Sequence, residues 1–391
     1  MKFKVSKVQV LLATALAFTL IVPQTMIAVG TGENPSFTKD ITNGKQKTVN
    51  NYIEEQRKKN KTTDGMTGGI NITSTDIRFL KQLDGSKEDN KKRGEQKYKE
   101  AIYLLADYAK ENDLKVKIDL DDLGFQTYVK RMATKFDTFS DVQMKKVIEF
   151  IKFMDLYENF SQNEKIKKYK SAIESGETLS HEEAIDLYSL MPLENNSTEY
   201  NESDIINHES EEVTTLSTYP YSRTKAKDYA YKWYNSRNPD YDYYARYNGC
   251  DIYDPDCWDR WNDCTNFVSQ ALYAGGMVTW RNWSGDYNWF YDDYRPTHSW
   301  GGAHNFYRHW RYRADLAPKD TDLAVGDAVN ADFSGDGHID HTAIVTAHTS
   351  AGRPLVTQHT DDKKDSPLSR WFDAGYTVYG WEMDNANYFE P

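Results

Sequence analysis

The sequence predicts an α+β fold in which a helix that opens on a cysteine packs on an antiparallel sheet, with a small all-α domain in front. Three observations carry this. Residues 72–191 repeat apolar side chains at helical spacing. From Ala328 onward the pattern becomes short β-branched runs broken by Gly and Asp. Between them, Asn262-Asp263-Cys264-Thr265-Asn266-Phe267-Val268-Ser269-Gln270 puts a cysteine where a helix begins. A helix followed by a run of strands, without alternation, is the α+β order.

The elements follow from the N-terminus. Lys2, Lys4 and Lys7 precede an apolar run from Val10 to Val22. That run is shorter than the ~20 residues of a transmembrane helix and reads as an export signal over residues 1–30. The protein is then expected to be secreted or associated with the cell wall. The small-x-small cleavage pattern is imperfect at Met26 and Ala28, so a membrane anchor through an uncleaved signal stays open. Residues 31–71 are polar and weakly periodic, and read as a disordered leader.

Residues 72–192 read as a helical domain. Tyr98, Ala101, Ile102, Leu105 and Tyr108 fall at helical spacing, as do Phe125, Tyr128, Val129, Met132 and Phe136, and Met144, Val147, Ile148 and Ile151. Ser180 with Glu183 makes a capping box for a last helix before Pro192. No repeat and no catalytic constellation occurs here, and the sequence assigns the domain no role. Residues 193–218 read as an acidic linker.

Composition changes near residue 218. All ten Trp, all three Cys and seven of the nine His lie beyond it, which marks 219–391 as a second architecture. The net charge of -12 argues against a nucleic-acid partner, which needs basic patches. Tyr221–Trp233 is helical in pattern. In the Cys264 helix, Phe267, Val268, Ala271 and Leu272 give an apolar face, and Gly275-Gly276 ends it. His341–His348, Leu355–His359 and Tyr376–Trp381 read as strands.

A helix-start thiol feels unpaired N–H groups and the positive end of the helix dipole, which favour the thiolate. A nucleophilic cysteine needs a base and a group that orients the base. His341 opens a strand and shares a face with Ala343 and Val345, whose small size leaves room for the imidazole. His359 or Asp361 can orient it. His359 is preferred because it falls within the strand, with Gln358 on the other face. Asp263 and Asn262 precede the nucleophile and can cap its helix, and a main-chain N–H there can serve an oxyanion. The bland reading makes Cys264 a small buried hydrophobe.

Lesser signals remain. Cys250 and Cys257 flank a short loop and can form a disulfide, leaving Cys264 free. Asp332, Ser334, Asp336 and Asp340 stand at positions 1, 3, 5 and 9 of an EF-hand-like loop with Gly337 at 6. Position 12 is Ala343, so the bidentate acid is missing. The loop is either a calcium site or an Asp/Gly-rich turn, and no cofactor is otherwise required. The aromatic stretch Trp280–Trp310 is either a stacking groove or core.

The C-terminal part, over about residues 220–390, resembles the putative amidase domain of exported Gram-positive proteins. The carrying residues are Asp263–Gln270, Ser299-Trp300, Gly326-Asp327, Gly335–Val345 and Gln358-His359-Thr360. The resemblance implies a papain-like fold related to NlpC-like and CHAP hydrolases. It implies Cys264 as nucleophile, His341 as base and His359 as third member. It further implies hydrolysis of an amide bond through an acyl-enzyme, with peptidoglycan or another peptide amide as substrate. The alternative is a non-catalytic cell-wall binding module on the same scaffold.

Overall fold

Local signals set the helices of the N-terminal part. The computed structural model describes residues 72–193, 221–241, 263–281, 285–292 and 296–387. The expected signal, the leader, nearly all of the 193–218 linker, Asn262, and Cys250 with Cys257 lie outside the described residues. The helices are α1 (Lys87–Lys97), α2 (Lys99–Glu111), α3 (Leu123–Arg131), α4 (Asp141–Glu174) and α5 (His181–Leu190). Ser86 and Asp122 accept first-turn amides at the starts of α1 and α3. Capping boxes begin α4 at Ser140 with Gln143 and α5 at Ser180 with Glu183. At 34 residues, α4 is about 50 Å long and serves as the spine of this part.

Three helices precede the sheet: α6 (Arg223–Trp233), α7 (Cys264–Ala274) and, after the short α8 (His298–Gly301), α9 (Ala303–Arg313). The strands are β1 (Asp315–Leu316), β2 (Ala328–Asp332), β3 (His341–His348), β4 (Pro354–Gln358), β5 (Lys363–Pro367) and β6 (Thr377–Glu382), with the short helix α10 (Ser369–Asp373) before β6. They form one sheet in the order β1-β6-β2-β3-β4-β5, and every neighbouring pair is antiparallel. The result is mixed: a helical N-terminal part and a C-terminal antiparallel sheet.

Strand alternation sends successive side chains to opposite faces. Val329, Ala331, Ala343, Val345, Val356 and Val378 face one cluster, which they share with Leu105, Phe125, Val129, Val147, Phe150 and Met154 of the helical part. Ala328, Ile344, Tyr379 and Trp381 face a second cluster with Phe267, Val268 and Leu272 of α7 and Phe306, Tyr307 and Trp310 of α9. The sheet is therefore covered on both sides, and the helical part shares its core. Polar ties cross the same boundary: Tyr376 donates to the Ala133 carbonyl at 2.9 Å, and Lys363 pairs with Asp137 at 2.7 Å.

Of the aromatic stretch, Trp280, Trp289, Trp300 and Trp310 are fully buried and belong to the core, so these four offer no stacking surface. No described helix is long and apolar enough to cross a membrane.

Candidate active site

Helix α7 starts at Cys264, as its sequence pattern implies, and every residue from Cys264 to Leu272 is buried. A helix this deep can keep polar residues only if each finds a partner. Trp300 donates to Asn266 Oδ1 at 2.9 Å, Trp289 to Ser269 Oγ at 3.1 Å, and Tyr229 to Gln270 Oε1 at 2.6 Å. The polar letters after the cysteine thus hold the helix in place. Gly326-Asp327 is structural as well. Asp327 pairs with Arg223 at 2.6 Å, and Gly326, at φ +93°, has the Arg223 backbone where a Cβ would sit.

Cys264 is 4% exposed. Its sulfur lies 3.7 Å from the Thr265 hydroxyl, and the Thr342 amide faces it. Thr265 and Thr342 share a hydrogen bond of 2.8 Å, which ties the start of α7 to the start of β3 one residue beyond Cys264 and His341. Burial pushes the Cys264 thiol above its ordinary range, and the nearby Asp263 charge adds to this. Thr265 and the Thr342 amide act against the shift without reversing it. The expected preference for thiolate is therefore corrected: the dipole contributes about 0.3–1 kcal/mol, while burial shifts pKa values by up to ~3–5 units.

His341 is the first residue of β3 and is 3% exposed. Its ring lies 5.4 Å from that of Trp371 and 6.3 Å from that of Phe333, centroid to centroid. Desolvation holds the imidazole down at about 4, against the raising influence of Gln358 and Asp361. His341 Nε2 and Gln358 Oε1 are 3.1 Å apart. Gln358 Nε2 donates in turn to Asp361 Oδ2 at 3.3 Å, and Lys135 of the helical part pairs with Asp361 Oδ1 at 3.3 Å. A carboxylate only accepts, so Asp361 fixes which way the Gln358 amide points. The amide oxygen then meets an N–H on His341 Nε2, which leaves the lone pair on Nδ1. No hydrogen bond among the described residues occupies Nδ1 or joins the ring to the Cys264 sulfur.

His359 does not meet His341. The strand ends at Gln358, and the register pairs Ile344 with Thr357 and Val345 with Val356. Continued, that register sets Gln358 opposite Ala343, on the face that His341 occupies. His359 faces the other way. It stacks on Phe267 at 3.9 Å, its Nδ1 lies 2.8 Å from Asp263 Oδ2, and its Nε2 lies 2.7 Å from the Trp233 carbonyl. Both ring nitrogens are thereby engaged. The preference for His359 over Asp361 as His341's partner is corrected: Gln358, read as facing away, takes that place, and Asp361 stands one step further out.

Asp263 occupies the N-cap position, but its side chain makes no cap. Its Oδ2 meets His359 and lies 3.1 Å from Arg237 Nε. Burial alone would raise the Asp263 carboxyl; His359 and Arg237 outweigh it and hold the group below the usual range. Arg237 also grips Asp362 by two bonds of 3.1 and 3.0 Å. In the loop before His341, Asp332 accepts the amides of Ser334, Gly335, Asp336 and Gly337. Asp336 accepts from His338 N, and Asp340 from Phe333 N at 2.8 Å.

The fold and site define a mixed α/β domain with a buried helix-start cysteine beside a strand-start histidine. Residues 220–381 match a protein family described as "Putative amidase domain". Two curated relatives from Bacillus subtilis (strain 168), the uncharacterized proteins YhbB and YjcM, are each 30% identical, over 166 and 168 residues. The alignments cover 41% and 40% of this chain, and 47% and 34% of the relatives. The chain thus spans less than half the length of the curated relatives it matches. No solved structure matches it.

Proposed function

We propose that the chain is an exported, cysteine-dependent amidase that cleaves an amide bond in peptidoglycan peptides. One observation carries the cysteine mechanism. The His341 ring is held through Nε2 by Gln358, with Nδ1 uncommitted, on a strand start tied to the Cys264 helix by the Thr265–Thr342 bond. The match of residues 220–381 to an amidase domain supports the reaction class.

In this reading Nδ1 of His341 takes the Cys264 proton as the sulfur attacks the amide carbonyl. Negative charge on the carbonyl oxygen meets the backbone N–H groups at the start of α7, which Asp263 leaves uncapped. His341 passes the proton to the departing amine, and a thioester forms on Cys264. Water then attacks the thioester, its proton goes to His341, and the acid leaves as the thiol is restored. The small share of the chain in the family match leaves the helical part outside this chemistry, except for Lys135 behind Asp361. Export rests on the N-terminal sequence pattern.

The test is release of new amino groups from purified peptidoglycan by the full chain. Wild-type protein is expected to release them, and Cys264→Ala and His341→Ala to release none. Equal release by Cys264→Ala would reject the cysteine mechanism. The raised thiol pKa favours one alternative, a binding module on the same scaffold. It predicts sedimentation with cell walls, unchanged in Cys264→Ala, and no release by either protein.

A further inference from the structure

The loop between β2 and β3 brings more acid into the interior than its hydrogen bonds explain. Asp332, Asp336 and Asp340 of the loop lie with Asp155 and Glu158 of α4, and all five carboxyl groups are buried. The ammonium among them is Lys130, which bonds Glu158 and stands 3.9 Å from Asp155 and 3.8 Å from Asp340. One ammonium at ion-pair distance, with Lys152 further off beside Asp332, against five acids leaves the region negative when the acids are ionised. Desolvation, joined by their mutual repulsion, pushes these carboxyls up.

Hydrogen bonding there is incomplete. Asp155 Oδ2, Ser334 Oγ and Asp340 Oδ1 are buried without a hydrogen bond, and Asp155 as a whole is 2% exposed. Asp155 sits against Ser334 and Asp340. One carboxylate oxygen from each of Asp155, Asp332 and Asp336 lies within 4.8 Å of the others. Oxygens bound to one calcium ion at ~2.3–2.6 Å are at most about 5 Å apart, so one ion can touch all three.

We propose that Asp155, Asp332 and Asp336 bind a calcium ion that joins α4 to the β2–β3 loop. The loop alone is an incomplete site. It has ligand-bearing residues at positions 1, 3 and 5 and a turn at Gly337, where φ is +86°, but Ala343 stands where the closing acid belongs. Asp155 supplies that missing carboxylate from a different element, with Ser334 Oγ beside it as a further oxygen. Magnesium holds oxygens at ~2.0–2.1 Å in a strict octahedron and keeps several waters, which suits this buried two-element cage less well. The proposal rests on this geometry and is independent of the amidase reading.

The test uses the full chain, stripped with a chelator and then given calcium chloride or magnesium chloride at matched ionic strength. Calcium is expected to raise the melting temperature by at least about 3 °C and to bind near one equivalent by calorimetry. Asp155→Asn is expected to lose that rise, whereas the surface variant Glu88→Gln keeps it. No rise with calcium, an equal rise with magnesium, or a rise retained in Asp155→Asn overturns the proposal. Should Asp155→Asn fail to fold, terbium chloride titrated into wild-type protein decides. Sensitised emission that saturates near one equivalent and is displaced by calcium supports the site, and its absence overturns it.

Discussion

His341 is gripped by one nitrogen and surrounded by rings, and both facts govern how it would act. Its environment holds it uncharged down to about pH 4, while the buried Cys264 thiol keeps its proton past the ordinary thiol value. The pair therefore carries one proton across the neutral range. The profile of kcat/KM against pH should fall on the acid side as His341 protonates near 4, and should show no alkaline loss below about pH 8.5. An acid limb near 6.5, the ordinary histidine value, would contradict this assignment. In the proposed mechanism Gln358 acts through His341 and is a positioning residue. Gln358→Leu removes the acceptor on Nε2, so kcat should fall by about 10–100-fold with KM little changed. Gln358→Glu places a carboxylate there and should move the acid limb upward; an unmoved limb would show that Gln358 does not touch the base.

At the scale of elements, His359 works as a clamp on the start of α7. It binds Asp263 and the Trp233 carbonyl and lies flat on Phe267, which joins α6, α7 and the turn after β4. His359→Phe keeps the stacking but strands the buried Asp263 beside Arg237 alone. Thermal unfolding should show a loss of about 1–3 kcal/mol, and activity per folded molecule should change little. Loss of turnover in a fully folded variant would restore His359 to the chemistry. The contrast between His359 and Gln358 also marks what the chain's letters disclose. The capping box at Ser180, the extent of β3 and the Gly275-Gly276 stop for α7 are local, and all three are present as read. The choice of Gln358 depends on inter-strand register, which no local pattern carries and which a one-residue slip inverts. Strand β5, Lys363–Pro367, went unseen because a polar edge strand shows no apolar alternation. The depth of α7 was also hidden, since Asn266, Ser269 and Gln270 look like a solvent face until their aromatic partners are known.

For the molecule as a whole, the helical part and the sheet share one core. Val329, Ala331, Val345, Val356, Trp371 and Tyr376 of the C-terminal part are buried in that shared cluster. At about 1.5–3 kcal/mol for each large apolar side chain buried, exposing this face would cost about as much as a typical domain's whole stability of ~5–15 kcal/mol. A fragment of residues 221–391 should therefore aggregate or bind hydrophobic dyes, while a fragment starting at residue 72 stays monomeric; light scattering and a melting curve distinguish them. A soluble, cooperatively melting 221–391 fragment would show that the sheet does not need its cover. Lys135 adds a chemical side to the same dependence, since it lies outside the family-matched region yet ends the polar chain that begins at His341. The amidase-like region is thus not a self-sufficient cassette. Any chain that carries it without these helices must find its own lid for the bare sheet and its own cation for the carboxylate behind Gln358. Transplanting the region alone would move Cys264 and His341 without the scaffold that keeps them in order.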